Sequence, residues 1–285
     1  MMSRRRQRII RSWLIYGAAI LLTVMILAPL IWMGLMSVSS TNDLTTVPLR
    51  WIPAEWDFSR YIKLLTIAEN STGAAFTASL RNSMVVASLG ALLSLIVGIP
   101  AAWAVSRMPR QFSWMLHVSV ATYMLPPVAL VVPMYFALSA FGALNSVFSL
   151  ALIYLSILAP FTAWLLKSNF DNVPFEIEQA AMMDGANLWQ IMRNVTLPLA
   201  APGLTTAGLF AFLLAWDEFF YALLFTSDQR AKTLTVAIAD LAGGRIADYG
   251  LIAAAGIIAS LPPVIIGFGL QKALISGLTT GGVKG

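Results

Sequence analysis

Apolar residues in this 285-residue chain fall into long runs separated by polar or proline- and glycine-bearing segments. An α-helix rises about 1.5 Å per residue, so a hydrocarbon layer of about 30 Å takes about 20 residues. Residues 13–36, 84–105, 114–141, 148–166, 203–226 and 249–270 meet that length. The pattern predicts an all-α integral membrane fold with six transmembrane helices. The first run follows RRRQR but exceeds the apolar region of a signal peptide, and no clean small-residue cleavage site follows it. It is expected to stay as the first helix. The chain then divides into a basic tail (1–12), a membrane domain (13–270) with a long polar loop at 167–198, and a C-terminal tail (271–285).

Composition supports this class: 59% of the residues are hydrophobic and 11% charged, against about a quarter charged in soluble domains. With no cysteine there is no disulfide framework or thiolate metal site. The single histidine, His117, builds no metal cluster alone and is expected to be an ordinary packed or interfacial residue. The net charge of +5 is scattered between apolar runs, which argues for membrane topology and against nucleic acid. Arg4, Arg5, Arg6, Arg8 and Arg11 place the N-terminus in the cytoplasm, and six spans return the C-terminus there. The short basic loop at 107–112 and the tail carrying Lys272 and Lys284 then lie inside, as the charge rule expects.

That topology puts the loop at 167–198 in the cytoplasm, where its charge is unusual. Lys167 and Arg193 are outnumbered by Asp171, Glu176, Glu178 and Asp184. Pro174 suits a helix start, and Glu176 and Glu178 favour the positive end of that helix dipole. Gly185 is expected to end this helix in a left-handed conformation, Asn187 to cap a second one, and Pro198 to stop it. The product is a helix–glycine–helix elbow carrying alanines that allow close approach and methionines that pack adaptably. An acidic, helical inner loop suggests docking to a basic cytoplasmic partner. The alternative is an amphipathic loop on lipid headgroups, which normally carries Lys and Arg instead.

The stretch 178–200 (EQAAMMDGANLWQIMRNVTLPLA) resembles the EAA loop of ABC importer membrane subunits. Gln179-Ala180-Ala181 is followed by three residues, Gly185, nine more residues and then Val195-Thr196-Leu197-Pro198. The family's glutamate position holds Gln179, with Glu178 one residue earlier; if docking needs a carboxylate, Glu178 is expected to supply it. Residues 277–285 (GLTTGGVKG), 215–225 (AWDEFFYALLF) and 124–136 (MLPPVALVVPMYF) are similar to the carbohydrate-uptake branch, in the maltose-importer type of second permease. The resemblance implies a type I ABC importer fold in the bacterial inner membrane. It implies a second homologous permease, a cytoplasmic ATPase dimer, an external solute-binding protein and a sugar substrate. It assigns ATPase docking to Glu178, Gln179, Ala180, Ala181, Met182, Met183, Asp184 and Gly185. A further ATPase contact falls on Thr279, Thr280 and Lys284 in the tail.

The chain has no G-x-x-x-x-G-K-[ST] loop to cradle nucleotide phosphates. The expectation is a transport subunit, not an enzyme, that binds no cofactor itself, with ATP and Mg on the partner ATPase. Pro126 and Pro127, beside Met124, break the third run, either to line a translocation path or only for packing. Asp217 and Glu218 are ionisable groups in the fifth run, a costly position that argues for function. With Tyr221 they are candidates for the path or the permease interface, the alternative being snorkelling to the outer surface. Alternative functions are import of a non-sugar solute by the same machinery, or ion-coupled secondary transport.

Overall fold

The computed structural model describes the backbone of residues 4–243 and 248–282, and the side chains of residues 11–243 and 248–271. Among the described residues the regular structure is helical. Four helices are long and apolar enough to cross a membrane without a break: α1 (Arg4–Val38), α4 (Thr72–Arg107), α7 (Val147–Asp171) and α14 (Tyr249–Gly282). Short α2 (Thr41–Thr45) and α3 (Ser59–Leu65) connect α1 to α4.

The third and fifth runs are not single helices. The third is α5 (Pro109–Tyr123) and α6 (Pro127–Ala140), bent by 97° at the break. Pro126 has an extended backbone at the N-cap of α6 and Pro127 takes its first turn. Neither offers an N–H, and each disfavours helix in the residue before it, so the prolines set the break. The fifth run is α11 (Ala201–Trp216) and α12 (Phe220–Phe225), interrupted at residues 217–219. Between α7 and α11 lie α8 (Phe175–Met183), α9 (Leu188–Ile191), a π-helical turn (Met192–Thr196) and α10 (Leu197–Leu199). Helix α13 (Leu234–Ala242) precedes α14.

The core forms where α4 packs along α7, with α11 against both. The contact face of α4 is a stripe of small residues: Ala87, Gly90, Ala91, Ser94, Gly98 and Ala102 are all buried. Without water to drive apolar surfaces together, such stripes hold membrane helices by close backbone approach. A side chain on Gly90 or Gly98 would press to 3.2 Å from Leu158 or Thr162 of α7. The Thr162 hydroxyl also donates to that of Ser94 across the same seam, at 3.3 Å.

These contacts fix the direction of each helix. Gly90 and Gly98 meet Leu158 and Thr162 in the same order, so α4 and α7 run parallel and α5–α6 must carry the chain back between them. Helix α11 runs the opposite way, from Gly203 beside Asn169 to Ala215 near Gly90. At the Thr72 end of the bundle, buried Arg60 of α3 donates from Nε to both oxygens of Asp248 (3.1 and 3.3 Å) and from Nη2 to the Thr41 hydroxyl. It also bonds the Ser39 carbonyl. This node joins the chain just past the end of α1 to the start of α14. Helix α1 therefore runs toward the Thr72 end and α14 away from it, so the start of α1 and the end of α14 lie toward the Arg107 end, where α8–α10 also lie.

Candidate functional site

At the Arg107 end the chain folds into the expected elbow, and its turn is closed by a complete set of capping bonds. Gly185 has φ +84°. Its N–H donates to the Met182 carbonyl and that of Ala186 to the Ala181 carbonyl, both at 3.0 Å. This is the Schellman arrangement, which satisfies the last carbonyls of α8 and needs a left-handed residue at the Gly185 position. Two residues on, Asn187 accepts from the Gln190 N–H (3.0 Å) while Gln190 Oε1 accepts from the Asn187 N–H (2.9 Å). That reciprocal box starts the second arm. The arm then bends by 81° into α11, at a segment bearing Pro198 and Pro202.

One face of the elbow is open. Gln179, Ala180, Met182, Met183, Asp184 and Gly185 are exposed, Met183 to 87%. Phe175, Ile177, Leu188 and Trp189 add apolar surface to this otherwise polar segment. Ala181 turns the other way and packs with Ala186 against the cluster of Trp103, Leu166, Phe170, Val173, Ile191 and Met192.

Glu178 differs from the expectation. It is 0% exposed, so its carboxylate is not on the open face. Arg107, the last residue of α4, donates from Nε to both its oxygens (3.0 and 2.9 Å) and from Nη2 to Oε1 (2.9 Å). The Thr196 hydroxyl donates to Oε1 at 2.6 Å and accepts from the Trp103 indole N–H at 3.3 Å. Arg107 Nη2 also donates to the Val173 carbonyl, and the guanidinium lies 5.8 Å from the Phe175 ring centre. A carboxylate so fully satisfied inside the chain cannot meet a partner's cation without leaving Arg107 unpaired. The physical reason is helical phase: Glu178 lies one turn before Ala181, on the face turned to the bundle. Beside this pair, Asp171 of α7 accepts from Ser106 of α4 (2.6 Å) and from Lys167 (2.5 Å).

The other candidates do not form one site among the described residues. Met124 is 82% exposed at the break before α6. Glu218 acts as a cap: its carboxylate accepts from the N–H groups of Tyr221 (2.8 Å) and Ala222 (3.1 Å) in the first turn of α12. Its carbonyl accepts from Thr235 at the start of α13. Asp217 is exposed and ends α11. Tyr221, expected on a path or interface, is instead buried in the core, with its ring 5.8 and 6.0 Å from those of Phe220 and Phe225. Helix α6, with Pro126 and Pro127 at its start, meets α12 further along, where Tyr135 and Phe225 lie 6.3 Å apart. His117 is exposed and bonds the Ser113 carbonyl one turn back. The side chains of Thr279 and Thr280, and Lys284, lie outside the described residues.

Residues 94–280 match the family profile described as the binding-protein-dependent transport system inner membrane component. The chain belongs to this family. It is a permease subunit of an ABC importer in the inner membrane, a transport component and not an enzyme. Among its relatives is the trehalose/maltose transport system permease protein MalG of Thermococcus litoralis. The two are 33% identical over 283 residues, covering 98% of this chain and 99% of that protein. The sulfoquinovosyl glycerol transport system permease protein SmoH of Agrobacterium fabrum is 34% identical over 269 residues, covering 94% and 92%. In fold the permease is similar to a chain of a bacterial ABC transporter involved in the import of the acidic polysaccharide alginate. The TM-score is 0.73 at 24% identity, over 95% of this chain and 98% of that one.

Missing from the sequence-level set were Arg107 and Thr196. Arg107 reads in sequence as a topology charge, and only the phase of α8 hints that Glu178 needs an internal cation.

Proposed function

We infer that this permease forms part of the pathway for a sugar or related polyhydroxylated solute, in a complex with a second, homologous permease. An extracytoplasmic binding protein delivers the solute, and a cytoplasmic ATPase dimer, which holds ATP and Mg, docks on the elbow. The observation that carries this reading is the open face of the elbow. An exposed apolar ridge that includes Met183 stands on a segment whose turn is closed by its own capping bonds, so the turn does not need Met183 to hold it. The start of α1 and the end of α14 lie toward the elbow's end of the bundle, and the arginines of the N-terminal tail favour the cytoplasm for that end. Gln179, Ala180, Met182, Met183, Asp184 and Gly185 supply the contact, with exposed Glu176 and Asp184 favouring a basic rim on the ATPase. Thr279, Thr280 and Lys284 reach the ATPase as a second contact. The sugar class follows from the relatives' printed substrates, trehalose/maltose and sulfoquinovosyl glycerol.

The test is uptake of labelled disaccharides into vesicles holding the permease pair and ATPase, with binding protein outside and ATP inside. ATP-dependent accumulation of a sugar that also requires the binding protein is expected. Accumulation driven by an ion gradient without ATP would contradict the reading.

A further inference from the structure

The elbow's open face and its attachment to the bundle use different residues, and the polar part of the attachment is concentrated at one point beside the apolar cluster. The Glu178 carboxylate sits on the first arm, and the Thr196 hydroxyl on the π-helical turn of the second. Arg107 and Trp103 belong to the last turns of α4, and the Val173 carbonyl lies in the link from α7. The wide turn at Met192–Thr196 takes an extra residue into the helical path, which changes side-chain phase and lets Thr196 reach Oε1. Two-oxygen contact between guanidinium and carboxylate fixes angle as well as distance. The carboxylate has no exposed surface, so water does not soften its contacts.

We propose that Arg107 and Glu178 are a positioning pair that carries movement of the elbow into α4, and so into the helix core packed on it. The proposal rests on the reading that the ATPase docks on the elbow. Neither residue touches the partner: Glu178 has no exposed surface and the Arg107 side chain is 9% exposed. A force on Met183 and its neighbours rotates both arms about the Gly185 turn. The Arg107–Glu178–Thr196 node obliges the end of α4 to follow. Because α4 runs beside α7 over its small-residue stripe, displacement of its end shifts the core seam. Two arms sharing one carboxylate move as a unit, whereas arms held only by apolar contact can slide. The pair therefore sets how much transport accompanies each ATP hydrolysed, and the open face sets whether the ATPase binds.

The experiment uses the whole complex and two permease variants, with a surface variant alongside. The double variant Arg107→Met with Glu178→Met removes both charges together, so no unpaired ion is left in the core. Arg107→Lys keeps the charge but loses the planar fork. The readout is solute accumulated per ATP hydrolysed, measured beside the amount of ATPase that co-purifies. The double variant should retain wild-type ATPase association and lose at least fivefold in the uptake-to-hydrolysis ratio, with Arg107→Lys between it and wild type. A wild-type ratio in the double variant overturns the proposal. So does loss of the ATPase from the double variant while Arg107→Lys keeps a wild-type ratio, since the pair is then only structural. Met183→Arg separates the two readings. If it leaves ATPase association unchanged, the docking surface is wrong; if it weakens association while the double variant stays wild type, the docking surface stands and the positioning role falls.

Discussion

Replacing Gly185 places a side chain in the left-handed region, and the structure confines the cost to the backbone. A Cβ at this position has no heavy atom within 4 Å, so no clash contributes. An L-residue at φ +84° pays about 1–2 kcal/mol, least for asparagine and most for a β-branched side chain. The bonds from Gly185 and Ala186 back to Met182 and Ala181 depend on that dihedral. The turn must hold the strain or open. A change of about 1–2 kcal/mol shifts such a two-state turn about 5–30-fold, ample to disorder the elbow while the bundle, held elsewhere, stays folded. Uptake and ATPase activity in vesicles containing the complex give the assay, with the membrane level of each variant as control. Uptake should fall in the order Gly185, Gly185→Asn, Gly185→Ala, Gly185→Val, with hydrolysis no longer matched to transport in the valine variant. Normal uptake by a well-expressed Gly185→Val permease would refute the argument, and so would an asparagine variant as impaired as the valine one.

Glu178→Ala should destabilise the permease by about 3–5 kcal/mol, because it leaves the Arg107 charge buried and unpaired. Exposed Gln179→Ala should stay within about 0.5 kcal/mol of wild type; equal thermal unfolding of the two in detergent would count against the buried pair. At the other end of the bundle, a side chain on Gly250 would overlap the Arg60 guanidinium. Gly250→Ala is therefore expected to displace Arg60 from Asp248 and cost about 1.5–3 kcal/mol, read as a lower midpoint; Gly267→Ala, with nothing within 4 Å, is the control and should not move it. A stop after Ser276 should leave membrane insertion intact and lower transport, and wild-type uptake and ATPase activity in the truncated complex would show the tail to be dispensable.

The spans were legible because a hydrocarbon layer demands long apolar runs, and that requirement writes itself into composition. The elbow was legible for a local reason: Gly185 and Asn187 carry their capping chemistry within a few residues of where it acts. Breaks at Pro126 and Pro127 could be read as breaks, but their 97° angle depends on how α6 packs. Glu178 and Glu218 were harder. Glu178 was read as a docking acid and Glu218 as a path or interface acid; inside the chain the first serves Arg107, 71 residues away, and the second caps α12. A carboxylate's use inside a chain depends on partners that local pattern does not name. Phase was the available clue for Glu178, since it shares a helix face with Ala181. Tyr221 was misplaced for a similar reason: an aromatic in an apolar run fits an interface or a core equally well, and only the break at residues 217–219 turns it inward.

The central claim is that the elbow is where ATP hydrolysis meets this permease, and site-specific cross-linking tests it most directly. The chain contains no cysteine, so Met183→Cys, at the 87% exposed tip, gives a single reactive thiol in this subunit. Val47→Cys, 97% exposed in the segment between α2 and α3 at the other end of the bundle, is the control. In the assembled, transporting complex, a short thiol-to-amine reagent should join Met183→Cys to the ATPase, in a yield that changes with nucleotide, and should not join Val47→Cys to it. A transporting complex in which Val47→Cys reaches the ATPase and Met183→Cys does not would contradict the account.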